Sequence, residues 1–392
     1  MIDVFSKGNR NFIAIFAAFF TAGLVESFLP LLNFQISYTF PDEYYIRVLT
    51  FTGLLALSLL SVLFSLIKTA ADKRIKMMIA LILILGGLLF MYINMKSVNA
   101  VLLSVLLLFS GSLFVQIAGL QFLISSFDKG KIVVRITLLY LIKSAGLAAG
   151  SGVPLILSSS LHAGTNTLIF FSLFFVLFSM ACLIIGPLKI TAEKPSEIKI
   201  IVTARHLISD KYVLLIAGGL VVYAGAEFCL VNLLPFYFSE SFGIKILKMI
   251  IPGVGLFTVF FILGRLAGVM ILRKINPAIV FLISSFLCIL GLFSIFIGQK
   301  YLSLGGTMMI GLGASNIFPI MISLAVNRIR EGRNVLIGMM IAAVPVGALF
   351  PSLMWAVKDS VSIAISFSVP FFCMFCITWI AIMLIRRDYV RG

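Results

Sequence analysis

Hydrophobic residues occupy long stretches of this chain, and polar residues concentrate in the short segments between them. A helix that crosses the hydrocarbon core of a membrane needs about 20 apolar residues. Twelve stretches fit that length, and they cover residues 12–34, 47–67, 77–95, 99–125, 133–159, 167–186, 213–238, 247–272, 278–298, 301–325, 335–357 and 362–385. The pattern therefore predicts an all-α membrane protein with twelve transmembrane helices.

A polar stretch, residues 187–211, divides the predicted spans into two sets of six. The halves also show a weak internal repeat at an offset of 202 residues, which aligns residues 22–37 with residues 224–239. Chance similarity between Leu- and Phe-rich segments is the alternative explanation of this repeat. We predict two pseudo-symmetric six-helix bundles, residues 1–186 and 212–392, joined by a cytoplasmic inter-bundle loop.

Composition and charge placement support the same picture. The 392 residues are 61% hydrophobic and 11% charged, whereas soluble domains are about 25% charged. The net charge of +16 is compatible with nucleic-acid binding, but 22 Lys and Arg residues lie at the termini and in the even-numbered loops, against six in the odd-numbered loops. By the positive-inside rule, both termini are cytoplasmic. We expect a multi-pass protein of the bacterial inner or plasma membrane, a monomer that binds no nucleic acid.

Two carboxylates, Glu26 and Glu227, lie about fifteen residues inside the first and seventh predicted spans. A charged residue at that depth costs about 2.5–3.5 kcal/mol, so it is retained for a role or a partner. Low dielectric favours the neutral form of a carboxyl, which makes Glu26 the first candidate proton carrier and Glu227 the second. Alternatively, Glu26 lies near the outer interface or bonds to its helix neighbours, and Glu227 binds a solute hydroxyl or pairs with a cation.

Two cations also lie inside predicted spans. Lys143 either neutralises Glu26, contacts an anionic solute, or extends its long stem to the membrane surface. Arg265, near the end of the eighth span, is expected to clamp helix termini or a carboxylate; contact with the solute is the alternative.

Several uncharged polar side chains complete the candidate solute site. Amides supply both donors and acceptors, as sugar hydroxyls require, and an aromatic ring can stack on a sugar. Hydrogen bonding between helices is the alternative role. The candidates are Gln116, Gln121, Tyr223, Asn232 and Asn316.

Short motifs carry a resemblance to a known family. They are Val25-Glu26-Ser27-Phe28-Leu29-Pro30, Asp72-Lys73-Arg74-Ile75-Lys76, Tyr223-Ala224-Gly225-Ala226-Glu227, Gly264-Arg265-Leu266-Ala267-Gly268, Gly311–Pro319 and Gly347–Pro351. The chain resembles the major facilitator superfamily and is most similar to the fucose–galactose–glucose:proton symporter family. The resemblance implies the major facilitator fold, with solute bound between the two bundles, and a structural or gating role for Asp72, Arg74, Gly264 and Arg265.

The chain departs from that family at two places. Leu120 and Gln121 stand where the family usually has Asn-Pro in the fourth span, and Lys143 stands where its fifth span typically has Asn. The resemblance implies that these positions face the cavity. The identity of the solute is therefore the property that is least safely inferred from the family.

These observations predict a secondary active transporter that imports a small polar solute, a monosaccharide, by proton symport and alternating access. The sequence lacks GxxxxGK[ST], which argues against ATP-driven pumping, so the proton gradient is the expected energy source. No enzyme activity, cofactor or metal site is expected. The alternatives are a proton-coupled exporter of amphipathic compounds, an importer of an anionic or zwitterionic solute, and a non-transporting receptor or assembly factor.

Overall fold

The computed structural model describes residues 9–28, 60–61, 63–65, 73–93, 98–126, 132–157, 161–185, 200–243, 255–329 and 332–389. Within these residues the regular secondary structure is helical, and no strand occurs among them. The helices are α1 (Asn9–Glu26), α2 (Lys73–Ile93), α3 (Val98–Ser126), α4 (Ile132–Leu157), α5 (Leu161–Ile185), α6 (Ile200–Ser209), α7 (Lys211–Phe242), α8 (Leu256–Ile271), α9 (Pro277–Phe296), α10 (Lys300–Arg328), α11 (Arg333–Val346), α12 (Leu349–Ser360), α13 (Ile363–Ser366) and α14 (Ser368–Tyr389).

The described helices confirm a multi-pass membrane protein. Among the described residues, nine segments are long and apolar enough to cross a membrane, and two shorter apolar helices lie at Ile13–Glu26 and Leu256–Ile271. The predicted span at residues 47–67 lies outside the described residues, except for helical positions between residues 60 and 65. The count of twelve spans and the cytoplasmic location of the termini remain predictions.

Local sequence signals set several helix ends. Asp210 caps α7 by accepting a hydrogen bond from the backbone N–H of Tyr212 at 2.7 Å, and Gly243 ends that helix with a φ of 62°. The left-handed conformation suits glycine because it has no Cβ. Asn276 caps α9 in the same way as Asp210, and Pro277 follows at the first helical position.

Helix packing in the first half is repeated in the second. In the first half α1 packs against α3, α4 and α5, and α2 packs against α3 and α5. In the second half α7 packs against α10, α11 and α14, and α9 packs against α10 and α14. Each of these five pairs in the first half has a counterpart in the second.

Glycines allow α1 and α4 to approach closely. A Cβ atom at Gly146 would collide with the backbone carbonyl oxygen of Phe20, and one at Gly23 with that of Lys143. Small residues at such crossings permit backbone contact, which is a main source of helix association in lipid. The contact fixes α1 against α4, the two helices that carry Glu26 and Lys143.

The two halves contact each other through a few helices. The pairs are α4 with α8, α4 with α10, and α3 with α11. The segment predicted as a loop, residues 187–211, contains α6, which contacts α7 and α11. Leu207 of α6 is buried whereas Arg205 and His206 are exposed. The sequence reading missed this helix because ten residues are too few for a membrane span.

The eleventh predicted span, residues 335–357, is interrupted. It forms α11 and α12, and the break follows Pro345, which cannot donate a backbone hydrogen bond. At the break, Gly347 lies against the backbone of Val221 and Gly225 in α7. The interruption therefore places irregular backbone where another helix covers it, as membrane proteins require.

We predict that Gly146→Ala destabilises the protein by about 1–3 kcal/mol, because the new methyl group must push α1 away from α4. Apparent melting temperature in detergent, read by size-exclusion chromatography of heated samples, measures the effect. Gly152→Ala on the same helix is the matched control, since a Cβ atom there meets no atom within 4 Å. Equal melting temperatures for the two variants would contradict the close α1–α4 contact.

Candidate functional site

A cavity of about 100 Å³ lies between the two halves and is lined by residues from α1, α3, α4, α7, α8, α10 and α11. Its polar lining consists of Glu26, Gln116, Tyr140, Lys143, Glu227 and Arg265. Five further lining residues, which we call the apolar wall, are Phe109, Leu113, Phe228, Val231 and Val344. Both predicted proton-coupling carboxylates thus reach one cavity.

Glu26 and Lys143 form an ion pair at the cavity surface. The distance between Lys143 Nζ and Glu26 Oε1 is 2.7 Å, and the side chains are 14% and 24% exposed for Lys143 and Glu26 respectively. Two residues of α3 bind the same oxygen: Ser112 Oγ donates at 2.9 Å and Gln116 Nε2 at 3.3 Å. Of the three roles considered for Lys143, neutralisation of Glu26 is the one this geometry displays.

Gln116 extends the hydrogen-bonded chain from Glu26 to Tyr140. The Tyr140 hydroxyl donates to Gln116 Oε1 at 3.0 Å. The Tyr140 ring packs edge-on against Phe19, with ring centroids 5.9 Å apart, and against Phe318 at 4.9 Å. The aromatic packing fixes the hydroxyl, and the hydroxyl in turn orients the Gln116 amide so that its NH₂ group points to Glu26.

Glu227 has different surroundings from Glu26. It lies one turn after Tyr223 on α7, within hydrogen-bonding reach of the Tyr223 hydroxyl. That hydroxyl also donates to the Ala314 carbonyl oxygen at 2.9 Å. The ion pairs found among the described residues are Lys143–Glu26 and Lys358–Glu240, and neither includes Glu227. A cavity carboxyl without an ion-pair partner favours its neutral form.

Arg265 connects the two halves at the cavity. It is buried, and its Nε donates to the Ser315 carbonyl oxygen of α10 at 2.9 Å. Its Nη1 donates to the Tyr140 carbonyl oxygen and to Ser144 Oγ, both on α4. The guanidinium also lies 4.3 Å from the centroid of the Phe261 ring. Arg265 therefore links α8 to α4 and α10 through mid-helix acceptors rather than through the helix termini or carboxylate expected, and it also lines the cavity.

Four of the predicted solute-binding residues do not line this cavity. Tyr223 is fully buried. The Asn232 side chain donates to the Phe228 carbonyl oxygen one turn earlier at 2.7 Å. Asn316 donates to the carbonyl oxygen of Gly264 at 2.8 Å, which joins α10 to α8. The fourth is Gln121. Their solute-binding role stays a prediction that the geometry does not favour.

Gln121 belongs to a separate polar cluster, the Gln121 network, formed with Ser65, Lys76 and Asn334. Lys76, a buried lysine of α2, donates to Gln121 Oε1 at 3.3 Å and to the Ser65 carbonyl oxygen at 3.4 Å. Gln121 Nε2 donates to the Asn334 carbonyl oxygen of α11 at 3.0 Å. Gln121 lies about 7.5 Å beyond Gln116 along α3, at a rise of about 1.5 Å per residue. The network links the two halves.

The four predicted structural or gating residues have separate locations. Asp72 lies outside the described residues. Arg74 donates to the Ile184 carbonyl oxygen at 2.7 Å, which joins the start of α2 to the end of α5. Gly264 allows α8 to approach α10, because a Cβ atom there would meet the Leu312 carbonyl oxygen. Of the three described members of this set, Arg265 is the one at the cavity.

Sequence reasoning missed several participants. Ser112 lies one helical turn before Gln116, so the (i, i+4) spacing of two polar residues in an apolar helix was an available signal. Ser144 carried no comparable signal, because serines are common in membrane helices. Lys76 was counted with the loop charges. Its burial depends on the Ser65 and Gln121 acceptors, which come from other helices.

Comparisons with known proteins identify the fold. No family model and no curated protein matches the sequence. The E. coli fucose:proton symporter FucP matches with a TM-score of 0.74 and 16% identity over 95% of this chain and 98% of its own. A structure of FucP in the outward conformation matches with a TM-score of 0.75 and 14% sequence identity, over 95% of this chain and 98% of its own. The human organic anion transporter MFSD10 (TETRAN) matches with a TM-score of 0.70 and 14% sequence identity, over 96% of this chain and 100% of its own. The chain therefore has the major facilitator fold, as the sequence motifs predicted.

We predict that Arg265→Lys destabilises the protein by at least about 2 kcal/mol, because hydrogen bonds to a charged group contribute about 1.5–3 kcal/mol each. A lysine ammonium lacks the planar fork that reaches acceptors on two helices. Thermal unfolding in detergent measures the change. Arg273→Lys, at an exposed position just after α8, should stay within about 0.5 kcal/mol. Similar losses in both variants would remove Arg265 from the inter-bundle contact.

Proposed function

We propose that this protein is a secondary active transporter that imports a small polar solute together with protons by alternating access. The observation that carries the proposal is the pair of carboxylates, Glu26 and Glu227, in one cavity between the two halves. Solute sites of this fold lie at the interface of the repeats near the membrane midplane. The named activities of the neighbours, fucose:proton symport and organic anion transport, support transport as the class of function.

The different surroundings of the two carboxylates suggest different roles. Glu227 has no ion-pair partner among the described residues, so it acts in its protonated form as a hydrogen-bond donor at the site. Glu26 is paired with Lys143 at 2.7 Å, and we assign to it the exchange of the coupling proton. The coupling proton therefore binds to and leaves Glu26.

One titrating carboxyl is energetically sufficient for concentrative uptake. A proton that crosses together with an uncharged solute down a membrane potential of about 150 mV releases roughly 3.5 kcal/mol. This free energy corresponds to a solute gradient of roughly 300-fold, at tenfold per 1.4 kcal/mol.

The contacts between the halves provide the element that must change in alternating access. Arg265 and the Gln121 network join the halves by hydrogen bonds to backbone carbonyl oxygens and to side chains. Such bonds can break and reform without disturbing the apolar packing within each half. We assign the glycine-mediated α1–α4 contact to the rigid part, and Arg265 and the Gln121 network to the part that opens.

A monosaccharide is the solute that the sequence resemblance predicts, and fucose is the named solute of FucP. Gln116 is the one predicted amide that lines the cavity, and its groups already bind Glu26 and Tyr140. A sugar would therefore depend on Glu227, Lys143 and Tyr140 for most of its hydrogen bonds. Export of amphipathic compounds is the second candidate, which the apolar wall favours.

The test is solute uptake by the purified full-length protein in liposomes that contain a trapped pH indicator. We expect radiolabelled L-fucose or another member of a solute panel to accumulate under an inward proton gradient, with acidification of the interior and loss of uptake on adding a protonophore. Movement of solute only in the direction opposite to the proton gradient would favour the exporter. Uptake that ignores the proton gradient for every solute would contradict the proposal.

We predict that Glu26→Gln abolishes accumulation but preserves exchange of solute at equal concentrations, because the amide mimics the protonated carboxyl. Glu227→Gln should retain coupled accumulation, since it replaces a neutral group by a neutral group. Glu240→Gln, in the separate Lys358–Glu240 pair, is the control for loss of an ion pair away from the cavity. Coupled uptake by Glu26→Gln, together with its loss in Glu227→Gln, would transfer the proton to Glu227.

A further inference from the structure

The cavity is lined by two cationic side chains, Arg265 and Lys143, whose hydrogen-bond donors bind different kinds of partner. Arg265 directs three named hydrogen bonds to oxygens of the protein itself, on α4 and α10. Lys143 binds the carboxylate of Glu26, and its ammonium also lies 5.4 Å from the centroid of the Tyr140 ring. Lys143 is therefore the cavity cation whose ion-pair partner can be neutralised by a proton.

Protonation of Glu26 changes the electrostatic balance at Lys143. The charged and titratable groups that face Glu26 are Lys143 and Tyr140 from α4, Glu227 from α7 and Arg265 from α8. From α3, Ser112 and Gln116 are neutral, and α5 contributes the Ser179 hydroxyl, bonded to Thr21. With Glu26 neutral and Glu227 protonated, the ammonium of Lys143 has no anion beside it among the residues that the structure describes. An unpaired charge in a low-dielectric site is strongly unfavourable.

Resting on the proposed function, we infer that the solute carries a carboxylate group that binds Lys143 in place of Glu26 when Glu26 takes up the proton. Charge balances in this exchange. The Lys143 ammonium keeps one anionic partner before and after, one proton is bound to a Glu26 oxygen, and one monoanion is bound to Lys143. Proton and solute anion thus enter together, and their combined movement carries no net charge.

The apolar wall indicates the rest of the solute. Phe109, Leu113, Phe228, Val231 and Val344 line the same cavity as the polar groups, and these side chains offer no hydrogen bonds to a polyol. They suit a small hydrocarbon body, such as an aromatic ring or a short alkyl chain. A second carboxylate would need a second uncommitted cation, which the described lining of the cavity does not offer. We therefore assign the solute class as small amphipathic monocarboxylates.

Benzoate is the probe, and binding to the detergent-purified full chain avoids its passive diffusion through membranes. If one proton binds with the anion, benzoate affinity should rise about tenfold for each unit by which pH falls, while Glu26 is otherwise ionised. In weakly buffered solution, addition of benzoate should remove one proton per site from the medium. L-fucose serves as the uncharged solute and phenylalanine as the zwitterionic one.

Variants separate the roles of the two residues. Glu26→Gln should bind benzoate tightly and independently of pH, because Lys143 is already without its partner. Lys143→Gln should weaken benzoate binding by one to two orders of magnitude, about 1.4–2.8 kcal/mol, and Lys143→Arg should largely restore it. Lys358→Gln, in the separate ion pair, controls for nonspecific loss of a cation. The double variant Glu26→Gln/Lys143→Gln contains no uncompensated charge and keeps the test valid if Lys143→Gln misfolds.

The outcomes distinguish this inference from the proposed function. The inference is supported if benzoate binding depends on pH, requires Lys143 and becomes independent of pH in Glu26→Gln. Proton-linked binding of L-fucose or phenylalanine with no benzoate binding would overturn the solute class and leave proton symport in place. Benzoate binding that is unaffected by Lys143→Gln would overturn the exchange at Lys143. In liposomes, benzenesulfonate, a permanently charged analogue, should enter with protons regardless of membrane potential.

Discussion

The ion pair between Glu26 and Lys143 is the interaction on which the rest of the site depends. Its two members come from α1 and α4, which glycines hold in backbone contact. Its anionic oxygen also receives hydrogen bonds from Ser112 and Gln116, and Gln116 is positioned by the Tyr140 hydroxyl. The ion pair stands in a membrane protein interior, where either charge alone is costly. We propose that protonation of Glu26 is answered by another anion at Lys143.

The same neighbourhood connects the ion pair to the contact between the halves. Tyr140 donates its hydroxyl to Gln116 and accepts a hydrogen bond from Arg265 at its backbone carbonyl oxygen. One residue of α4 thus contacts both the carboxylate network and the clamp that joins α4 to α8 and α10. A shift of α4 that accompanies exchange at Lys143 would alter the Arg265 contacts directly. We propose this short physical path as the link between solute binding and opening of the two halves.

The sequence predicted the fold class well because its signals are strong. Long apolar stretches, Gly264-Arg265-Leu266-Ala267-Gly268 and Tyr223-Ala224-Gly225-Ala226-Glu227 pointed to the observed fold. The candidate site was only partly predictable. Intramembrane charges at Glu26, Glu227 and Lys143 are rare enough to mark the cavity. Amides such as Gln121 and Asn316 can bind a solute or form hydrogen bonds between helices. Which group accepts their hydrogen bonds depends on how the helices pack, and the local sequence does not show that packing. The helix α6 and the break after Pro345 likewise depend on contacts with other elements.

The most direct test of the account is infrared difference spectroscopy of the protein as it binds a solute that drives proton uptake. If Glu26 takes up the coupling proton, binding produces a new C=O stretching band of a protonated carboxyl group, and this band is absent in Glu26→Gln and present in Glu227→Gln. A band that persists unchanged in Glu26→Gln and disappears in Glu227→Gln would contradict the assignment of the coupling proton to the Lys143-paired carboxylate.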